Sequence, residues 1–186
     1  MGPDIATQAL VDEAMRKSAL IWLEWPGLPV GRAVWHVWLE GRAYVLTRLT
    51  SSMAQPDGDR EQPDPGFAGG DVVLVVVRSK DNEARLVTFD AEVTLVVPAD
   101  GDWQAATAAL AAGRLNLRNA EDAPRRWAAD DGVRIYRLTP DGTVHERPGD
   151  CAASSLRAAP VATPATTAGP PPRVFHRRGG TGRPLS

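Results

Sequence analysis

Two long apolar segments, DVVLVVVRS at 71–79 and RLVTFDAEVTLVVP at 85–98, constrain the fold of this 186-residue chain more than any other feature. Both are rich in valine, whose branched side chain favours extended backbone. A run as continuous as 71–79 is typical of a strand that is covered on both faces. Because only the short polar turn KDNEA separates the segments, we predict an antiparallel pair, whose second strand is long enough to bend around a barrel.

A second pair of strands is predicted over 32–40 and 43–49. The turn between them contains Gly41, which adopts the positive φ of a tight turn without steric cost. In the first arm, RAVWHVWLE, successive side chains point to opposite faces, so Trp35 and His36 lie on different sides. The aromatic residues of this hairpin fit a buried core, a subunit interface or the floor of a site for a flat ligand, and the sequence leaves these possibilities open.

The remaining patterns complete a mainly β chain with flanking helices. Residues 50–70, rich in proline, glycine and acidic side chains, are predicted to form a loop. In a later Ala-rich helix Asp102 is the predicted N-cap and Gly113 weakens or ends the helix, and Trp127 is predicted to face inward. Helices are predicted over 5–18, 102–116 and 121–130, and further strands over 19–25 and 133–140. The resulting six strands, mostly antiparallel, are expected to close into a barrel, because closure removes exposed strand edges.

Composition excludes several classes of protein. No segment approaches the ~20 consecutive apolar residues of a membrane span, and the start of the chain lacks the basic and apolar regions of a signal peptide. Cys151 is the single cysteine, which excludes a disulfide framework and a Cys-based zinc site. We therefore expect a cytoplasmic protein without a membrane segment, and the bias towards Ala, Arg, Pro and Gly indicates a bacterial source.

Charge and composition divide the chain into two regions. Residues 149–186 contain five arginines and one aspartate, a net charge of +4, whereas the remainder contains 16 basic and 22 acidic residues, a net charge of −6. The acidic body argues against nucleic-acid binding by the folded part. The last segment is rich in Pro, Ala, Thr and Gly and has no apolar period, so we predict one folded domain over 1–148 and a disordered tail over 149–186.

The order of these elements resembles the split β-barrel of the pyridoxamine-phosphate-oxidase-like flavin-binding proteins. Three stretches carry the resemblance: the first helix running into SALIWLEWPGLP, the hairpin RAVWHVWLEGRAYVLT, and VVLVVVRSKDNEARLVTFDAEVTLV followed by a helix and GVRIYRLTP. The resemblance implies a homodimer with two FMN sites at the subunit interface and hydride transfer to or from a small substrate. Related members of the family use a deazaflavin or haem instead.

The resemblance also implies where a cofactor would bind. In the family, Arg, Lys and Ser or Thr side chains near the end of the third strand hold the flavin phosphate, and strand backbone lies against the ring. An arginine fork with hydroxyls at a strand end supplies such donors, and a second basic strand end could complete the anion pocket from a neighbouring strand or subunit. The histidine could hydrogen-bond a ring carbonyl or ligate haem iron. The predicted cofactor-binding residues are Trp35, His36, Thr47, Arg48, Ser51, Ser52, Arg78 and Lys80.

Two alternatives to a flavin-dependent oxidoreductase stay open. The sequence has no catalytic triad and no glycine-rich phosphate loop, which is expected where the cofactor supplies the reactive chemistry. Many flavin binders of the family carry a basic helix after the third strand, whereas this chain has the acidic stretch RLTSSMAQPDGDREQPDPGFAGG. The first alternative is therefore a non-enzymatic dimeric binding module that has lost the phosphate grip, and the second is haem binding or breakdown through His36.

Overall fold

The computed structural model describes residues 5–26, 31–49, 61–80, 84–114 and 117–150. Within these ranges three α-helices flank the sheet: α1 (Ile5–Lys17), α2 (Trp103–Ala112) and α3 (Ala123–Ala129). The strands are β1 (Leu20–Glu24), β2 (Arg32–Trp35), β3 (Val37–Leu39), β4 (Arg42–Arg48), β5 (Gln62–Pro63), β6 (Val72–Arg78), β7 (Arg85–Val96) and β8 (Val133–Glu146). The predicted tail lies outside the described residues from 151 onwards, as do Ser51 and Ser52.

The strands form one curved, mainly antiparallel sheet in the order β2-β1-β6-β7-β8-β4-β3, and β5 pairs in parallel with β4. A single residue, His36, joins the two ends of this order, because it alone separates β2 from β3. β2 pairs with β1 and β3 pairs with β4, so the segment 32–39 bridges both edges of the sheet. The predicted split barrel with flanking helices is confirmed. The described residues form eight strands instead of the predicted six, since His36 divides one predicted strand and β5 adds another.

The sheet buries a different core on each face. The inner face and α1 enclose the first core, which contains Met15 and Phe89. The opposite face of β4 and β8 packs against α2 and α3 and forms the second core, which contains Leu110, Trp127 and Ile135. The inward position predicted for Trp127 is confirmed. Two-sided burial of β4 and β8 explains why these strands lie near the centre of the molecule.

A third part of the sheet keeps apolar side chains in solvent. In β1 and β6, the residues that alternate with core positions include Leu20 and Val72, each 50% exposed. Trp22 and Leu74, on the same face, are half-buried. One face of the continuous apolar run of β6 is fully buried, and its other face is only partly buried. The apolar strip on this second face of β1 and β6 has the composition of an interaction surface.

The side-chain amide of Gln62 connects β2 to β4 beside the junction at His36. Its Oε1 accepts a hydrogen bond from the Trp35 N–H at 2.8 Å, and its Nε2 donates to the carbonyls of Trp35 at 2.9 Å and Leu46 at 3.0 Å. An amide side chain carries the same donor and acceptor types as a peptide group. Gln62 therefore supplies the hydrogen bonds that a neighbouring strand would otherwise give to Trp35.

The loop predicted over 50–70 is interrupted by the two residues of β5, while residues 50–60 lie outside the described part of the chain. The other residues of 61–70 form neither helix nor strand, as predicted. β5 pairs with β4, and Phe67 is 9% exposed. The Phe67 ring lies edge-on to Trp25, with centroids 4.8 Å apart, and to Tyr136, with centroids 5.2 Å apart. These aromatic partners come from distant parts of the sequence, and local composition therefore does not reveal them.

Asp102 is the N-cap residue of α2 and Gly113 ends the helix, as predicted. Asp102 precedes α2 but makes no capping hydrogen bond with its side chain. Its carboxylate instead accepts hydrogen bonds from Arg137 of β8 and, at 3.3 Å, from Tyr44 of β4. The hydrogen bond from Arg137 is the main cause that lowers the pKa of Asp102. The charged guanidinium of Arg137 therefore donates to the Asp102 carboxylate, which then does not accept a hydrogen bond from the backbone N–H groups at the start of α2.

We expect the Gln62→Ala substitution to lower the free energy of unfolding by about 2–4 kcal/mol, because a buried polar group left without a partner costs about 1–3 kcal/mol. Urea denaturation measures the change. Gln104→Ala, at an exposed position of α2, is the matched control and should change the free energy by less than about 0.5 kcal/mol. Equal effects of the two substitutions would contradict the role given to Gln62.

Candidate functional site

A cavity of about 310 Å³ opens where the end of α1 meets the junction of β2 and β3. We call it the smaller cavity. Its walls include Lys17, Trp35, His36, Trp38 and Lys80. Its volume lies at the lower end of the ~300–1,000 Å³ that is usual for ligand pockets. Three of the predicted cofactor-binding residues, from two distant parts of the sequence, therefore line one cavity.

His36 is buried at the back of this cavity and is 3% exposed. Its Nε2 lies 3.3 Å from the Met15 carbonyl oxygen, and its backbone N–H donates to the Ala19 carbonyl at 3.4 Å. Burial lowers the pKa of His36 to about 4, and the hydrogen bond to Met15 opposes this shift only in part. The ring is therefore neutral near pH 7, and a neutral ring that donates from Nε2 leaves Nδ1 as an acceptor without a hydrogen-bond partner among the described residues.

The ring and backbone of Trp35 are held in place from several sides. Gly113 lies so close that a Cβ atom there would be 3.1 Å from the indole ring. The guanidinium carbon of Arg114 lies 5.7 Å from the ring centroid, and Arg114 forms an ion pair with the buried Glu61. Gln62 binds the Trp35 backbone, as described above. Trp35 is therefore a preorganised wall of the smaller cavity.

A second cavity, of about 570 Å³, adjoins the first, and we call it the larger cavity. Both cavities are bordered by Ser18, Ala19 and Lys80. The guanidinium carbon of Arg78 lies 5.4 Å from the centroid of the Trp22 ring, within the range of a cation–π interaction. Since Trp22 and Arg78 both line the larger cavity, this cavity combines an aromatic surface with positive charge.

Thr47 and Arg48 end β4 with their side chains on opposite faces of the sheet. The Thr47 hydroxyl lies 3.3 Å from a carboxylate oxygen of Asp64 and 3.4 Å from the Arg134 carbonyl oxygen. On the other face, Nη2 of Arg48 donates to Oδ2 of Asp130 at 2.7 Å. The alternation of side chains along a strand explains why the two residues do not converge.

The Arg48–Asp130 pair is mostly buried, because the side chains are 8% and 30% exposed. Nε and Nη1 of Arg48 are buried without a hydrogen-bond partner in the described part of the chain. Burial by itself would raise the pKa of Asp130, but the hydrogen bonds from Arg48 and from the Gly132 N–H hold it below the ordinary value. The guanidinium of Arg48 is therefore engaged by a charged carboxylate at neutral pH.

Arg48 and Arg78 lie at opposite ends of the sheet, measured along the strands. β4 is antiparallel to β8, β8 to β7 and β7 to β6, so β4 and β6 run in opposite directions and their last residues are far apart. The structure gathers Trp35, His36, Arg78 and Lys80 around the two cavities and leaves Thr47 and Arg48 elsewhere. Ser51 and Ser52 lie outside the described residues.

Sequence reasoning missed Lys17, Ser18 and Gln62 as parts of this region. Lys17 is a basic residue in the last turn of α1, which is a common position for cations in helices and therefore gives only a weak signal. Gln62 gave no signal, because a loop was the expectation for its segment. Their contribution depends on the approach of α1 and β5 to the junction at His36.

A scan against protein-family models finds no match, and a search of curated proteins finds no similar protein. Solved structures of similar fold include the haem storage protein HutZ from Vibrio cholerae, with 16% identity, a TM-score of 0.49 and coverage of 73% of this chain and 90% of that one. A putative pyridoxamine 5'-phosphate oxidase from Listeria innocua gives 7% identity, a TM-score of 0.45 and coverage of 75% and 96%. An FAD- and haem-binding protein from Mycobacterium smegmatis gives 14% identity, a TM-score of 0.39 and coverage of 88% and 90%.

None of the described helices is long and apolar enough to cross a membrane. In the same part of the chain, no group of three or more His, Cys, Asp or Glu side chains is arranged to hold a metal ion.

The free energy of unfolding is expected to depend on pH through His36. Its folded-state pKa of about 4 is below the ordinary value of 6.5, so the unfolded chain takes up the proton first as the pH falls. The contribution of neutral His36 to the free energy of unfolding is therefore fully present above pH 6.5 and is lost as the pH falls from 6.5 to 4. The loss is about 2 kcal/mol between pH 7 and pH 5. Urea denaturation at both pH values measures this loss.

His36→Gln should remove this part of the pH dependence. His145→Gln is the control, because His145 is 47% exposed and pairs with Asp90 at the surface. An unchanged pH dependence in His36→Gln would show that His36 is not the responsible group.

Proposed function

We propose that the chain binds FMN at the smaller cavity and acts as a flavin-dependent oxidoreductase. The observation that carries the proposal is the convergence of Trp35, His36 and Lys80 on one cavity. FMN is a flat ring system that carries a phosphate, so a site for it needs aromatic surface and positive charge together. The smaller cavity offers both.

Lysines supply the positive charge for the phosphate. Lys17, at the end of α1, and Lys80, after β6, line the same cavity. Lys17 pairs with Glu13 at 2.6 Å, but both side chains are largely exposed, and such a pair contributes only about 0–1 kcal/mol. Lys80 is exposed and forms no ion pair with another described residue. A phosphate can therefore bind both lysines at little cost to existing contacts.

Rigid tryptophans supply the surface for the ring. Trp38 is fixed by a hydrogen bond from its Nε1 to Oδ1 of Asp12 at 2.6 Å. Trp35 is fixed by Gln62 and by the close approach of Gly113. Side chains that are already immobile lose little conformational entropy when a ligand docks against them.

The state of His36 favours a flavin over haem. Nε2 faces the Met15 carbonyl and the ring is 3% exposed, so ligation of an iron by Nε2 would require this contact to break. A neutral imidazole behind a flat ring needs no such change. When bound, a flavin supplies the two-electron chemistry of hydride transfer, and this chain's residues bind and orient it.

We also propose that two copies of the chain associate through the exposed face of β1 and β6. Leu20 and Val72 are each 50% exposed on this face. Arg78 and Lys80 lie at one end of β6, whereas Glu92 pairs with Val72 at the other end. A twofold axis places the basic end of one copy against the acidic end of its partner, as a self-complementary interface requires. The larger cavity then opens at the interface.

The Lys80→Met variant should bind FMN about tenfold more weakly, a difference of about 1.4 kcal/mol, because one charge on the phosphate is lost. Riboflavin, which lacks the phosphate, should bind both forms equally. Quenching of flavin fluorescence during titration measures both affinities. Arg125→Met removes the same charge from a side chain of α3 that is 81% exposed and should leave both affinities unchanged.

Arg48→Met tests where the phosphate lies. Arg48 is engaged with Asp130 at the opposite end of the sheet, so the variant should retain its FMN affinity. Loss of FMN binding in Arg48→Met with retention in Lys80→Met would move the phosphate site to the end of β4.

The dimer is tested by Val72→Glu, which places a charge in the proposed interface. We expect multi-angle light scattering to give twice the 19.9 kDa chain mass for the unaltered protein and a shift towards the monomer for the variant. Ile5→Glu is the control, because Ile5 is 86% exposed at the start of α1, away from this face. A monomeric unaltered protein, or a dimer that Val72→Glu leaves intact, contradicts the interface.

A binding module without a cofactor is a second candidate, and one observation favours it. Thr47 and Arg48, which the family resemblance assigns to the phosphate, are near Asp64 and bound to Asp130 instead. This candidate predicts a dimer that shows no FMN binding at ~100 µM, a concentration that detects weak binding. The same titration therefore separates the two functions.

A further inference from the structure

We infer that Glu61 and Arg114 are positioning residues of the smaller cavity, which hold the ring of Trp35 in place and thereby determine how tightly a flat ligand binds. Neither is among the residues that line the cavity, whereas Trp35 is. The hold on the ring rests on the contacts described below. That the ligand is a flavin rests on the proposed function.

The side chain of Trp35 lies where its position is not fixed by strand pairing alone. Trp35 is the last residue of β2, and its backbone pairs with Leu20 of β1. Its side chain is half-buried and packs against the second core, and the residue also borders the smaller cavity. Further contacts are therefore needed to fix the ring relative to the cavity.

Arg114 supplies one of these contacts. Its guanidinium carbon lies 5.7 Å from the centroid of the Trp35 ring, within the range of a cation–π interaction. Arg114 directly follows Gly113, whose N–H donates to the Ala109 carbonyl at 2.9 Å. Since Leu110 anchors α2 in the second core, the backbone that carries the guanidinium is fixed.

Glu61 fixes the guanidinium itself. Nη1 of Arg114 donates to Oε2 of Glu61, and the two side chains are 19% and 2% exposed. Apolar residues in place of such a buried ion pair often leave a protein equally stable, because desolvation of the charges offsets their attraction. What the charges add here is direction, since a carboxylate orients the guanidinium that donates to it.

Two neighbouring residues thus hold both parts of Trp35. Gln62 binds the backbone N–H and carbonyl of Trp35, and Glu61 acts on the ring through Arg114. A ring that is already held loses little conformational entropy when a ligand docks against it. The segment that carries β5 therefore influences the affinity of a cavity that Glu61 does not line.

The double variant Glu61→Met with Arg114→Met tests the inference, because it removes both charges and leaves neither unpaired. Fluorescence titration of the full chain should show FMN and riboflavin binding about fivefold more weakly, by the same factor, since the ring and not the phosphate is affected. Lys80→Met, by contrast, affects FMN alone. The matched control is Asp122→Met with Arg125→Met, which removes an exposed ion pair of α3 and should change neither affinity.

A double-mutant cycle shows whether the effect passes through Trp35. Trp35→Leu by itself should weaken both flavins. In the Trp35→Leu protein, the further change of Glu61 and Arg114 to Met should have no effect, because no ring remains to be held. A general structural role of the pair would weaken binding equally in both backgrounds.

Gly113→Ala displaces the ring while the ion pair stays intact. Its Cβ would lie 3.1 Å from Cζ2 of Trp35 and 3.1 Å from Cγ1 of Val37, and a φ of −75° suits alanine. Both flavins should again bind more weakly by one factor. Circular dichroism shows whether each variant is folded, so Gly113→Ala gives a result even if the double variant does not fold.

The indole N–H resonance of Trp35 reports the position of the ring without a flavin. In the ¹⁵N-labelled full chain this resonance is the one lost in Trp35→Leu. It should shift in the Glu61 and Arg114 double variant and in Gly113→Ala, and stay in place in the control with Asp122 and Arg125 changed.

The outcomes separate this inference from the proposed function. Unchanged riboflavin affinity in the double variant, a loss confined to FMN, or equal losses in both backgrounds of the cycle would overturn the inference and leave flavin binding intact. If neither flavin binds to the unaltered protein, the proposed function fails. A Trp35 resonance that still shifts in the double variant then supports the hold on the ring, and one that does not shift overturns it.

Discussion

The closure of the half-barrel by the segment 32–39 is the constraint on which the rest of the structure depends. One residue, His36, separates a strand that pairs with β1 from a strand that pairs with β4. Trp35 pairs with Leu20 of β1 on one side, and on its other side the Gln62 amide supplies the donor and acceptor that a second strand would give. The burial of His36 beneath α1 follows from the same closure, because its side chain continues the inner face of the strand.

This closure also determines where the two cavities lie. The end of α1, the start of β1, the junction at His36 and the end of β6 meet at one corner of the molecule, and both cavities lie there. The other end of the sheet is filled by Phe67 between Trp25 and Tyr136, and the outer face of β4 and β8 is covered by α2 and α3. The described part of the chain thus presents aromatic rings, positive charge and space together at this corner.

Much of the fold could be predicted from local pattern. The first helix, the turn at Gly41 with its φ of 74°, and the strands at 72–78 and 85–96 agree with the sequence, because periodicity and turn residues act over a few positions. β5, the position of Phe67 and the binding of the Asp102 carboxylate by Arg137 could not be predicted. The contacts of Phe67 and of Asp102 involve partners more than 30 residues away in the sequence. β5 forms only by pairing with β4, whose place in the sheet the sequence does not give. Among the predicted site residues, Thr47 and Arg48 are separated because successive side chains of β4 point to opposite faces of the sheet. Arg48 and Arg78 are separated because β4 and β6 run in opposite directions.

The sequence by itself determined a mainly β, antiparallel sheet with flanking helices, because apolar alternation and short connections restrict which strands can pair. That this sheet is a split barrel was implied by the family resemblance. It also identified the candidate site residues, which are tryptophans, one histidine in the first hairpin and basic residues at strand ends. Only the tertiary structure decided which of them meet. The order of the strands determines which strand ends are neighbours, and that order arises from long-range pairing. Lys80 and Arg78 therefore lie at the same corner as Trp35 and His36. Arg48 lies elsewhere and binds Asp130.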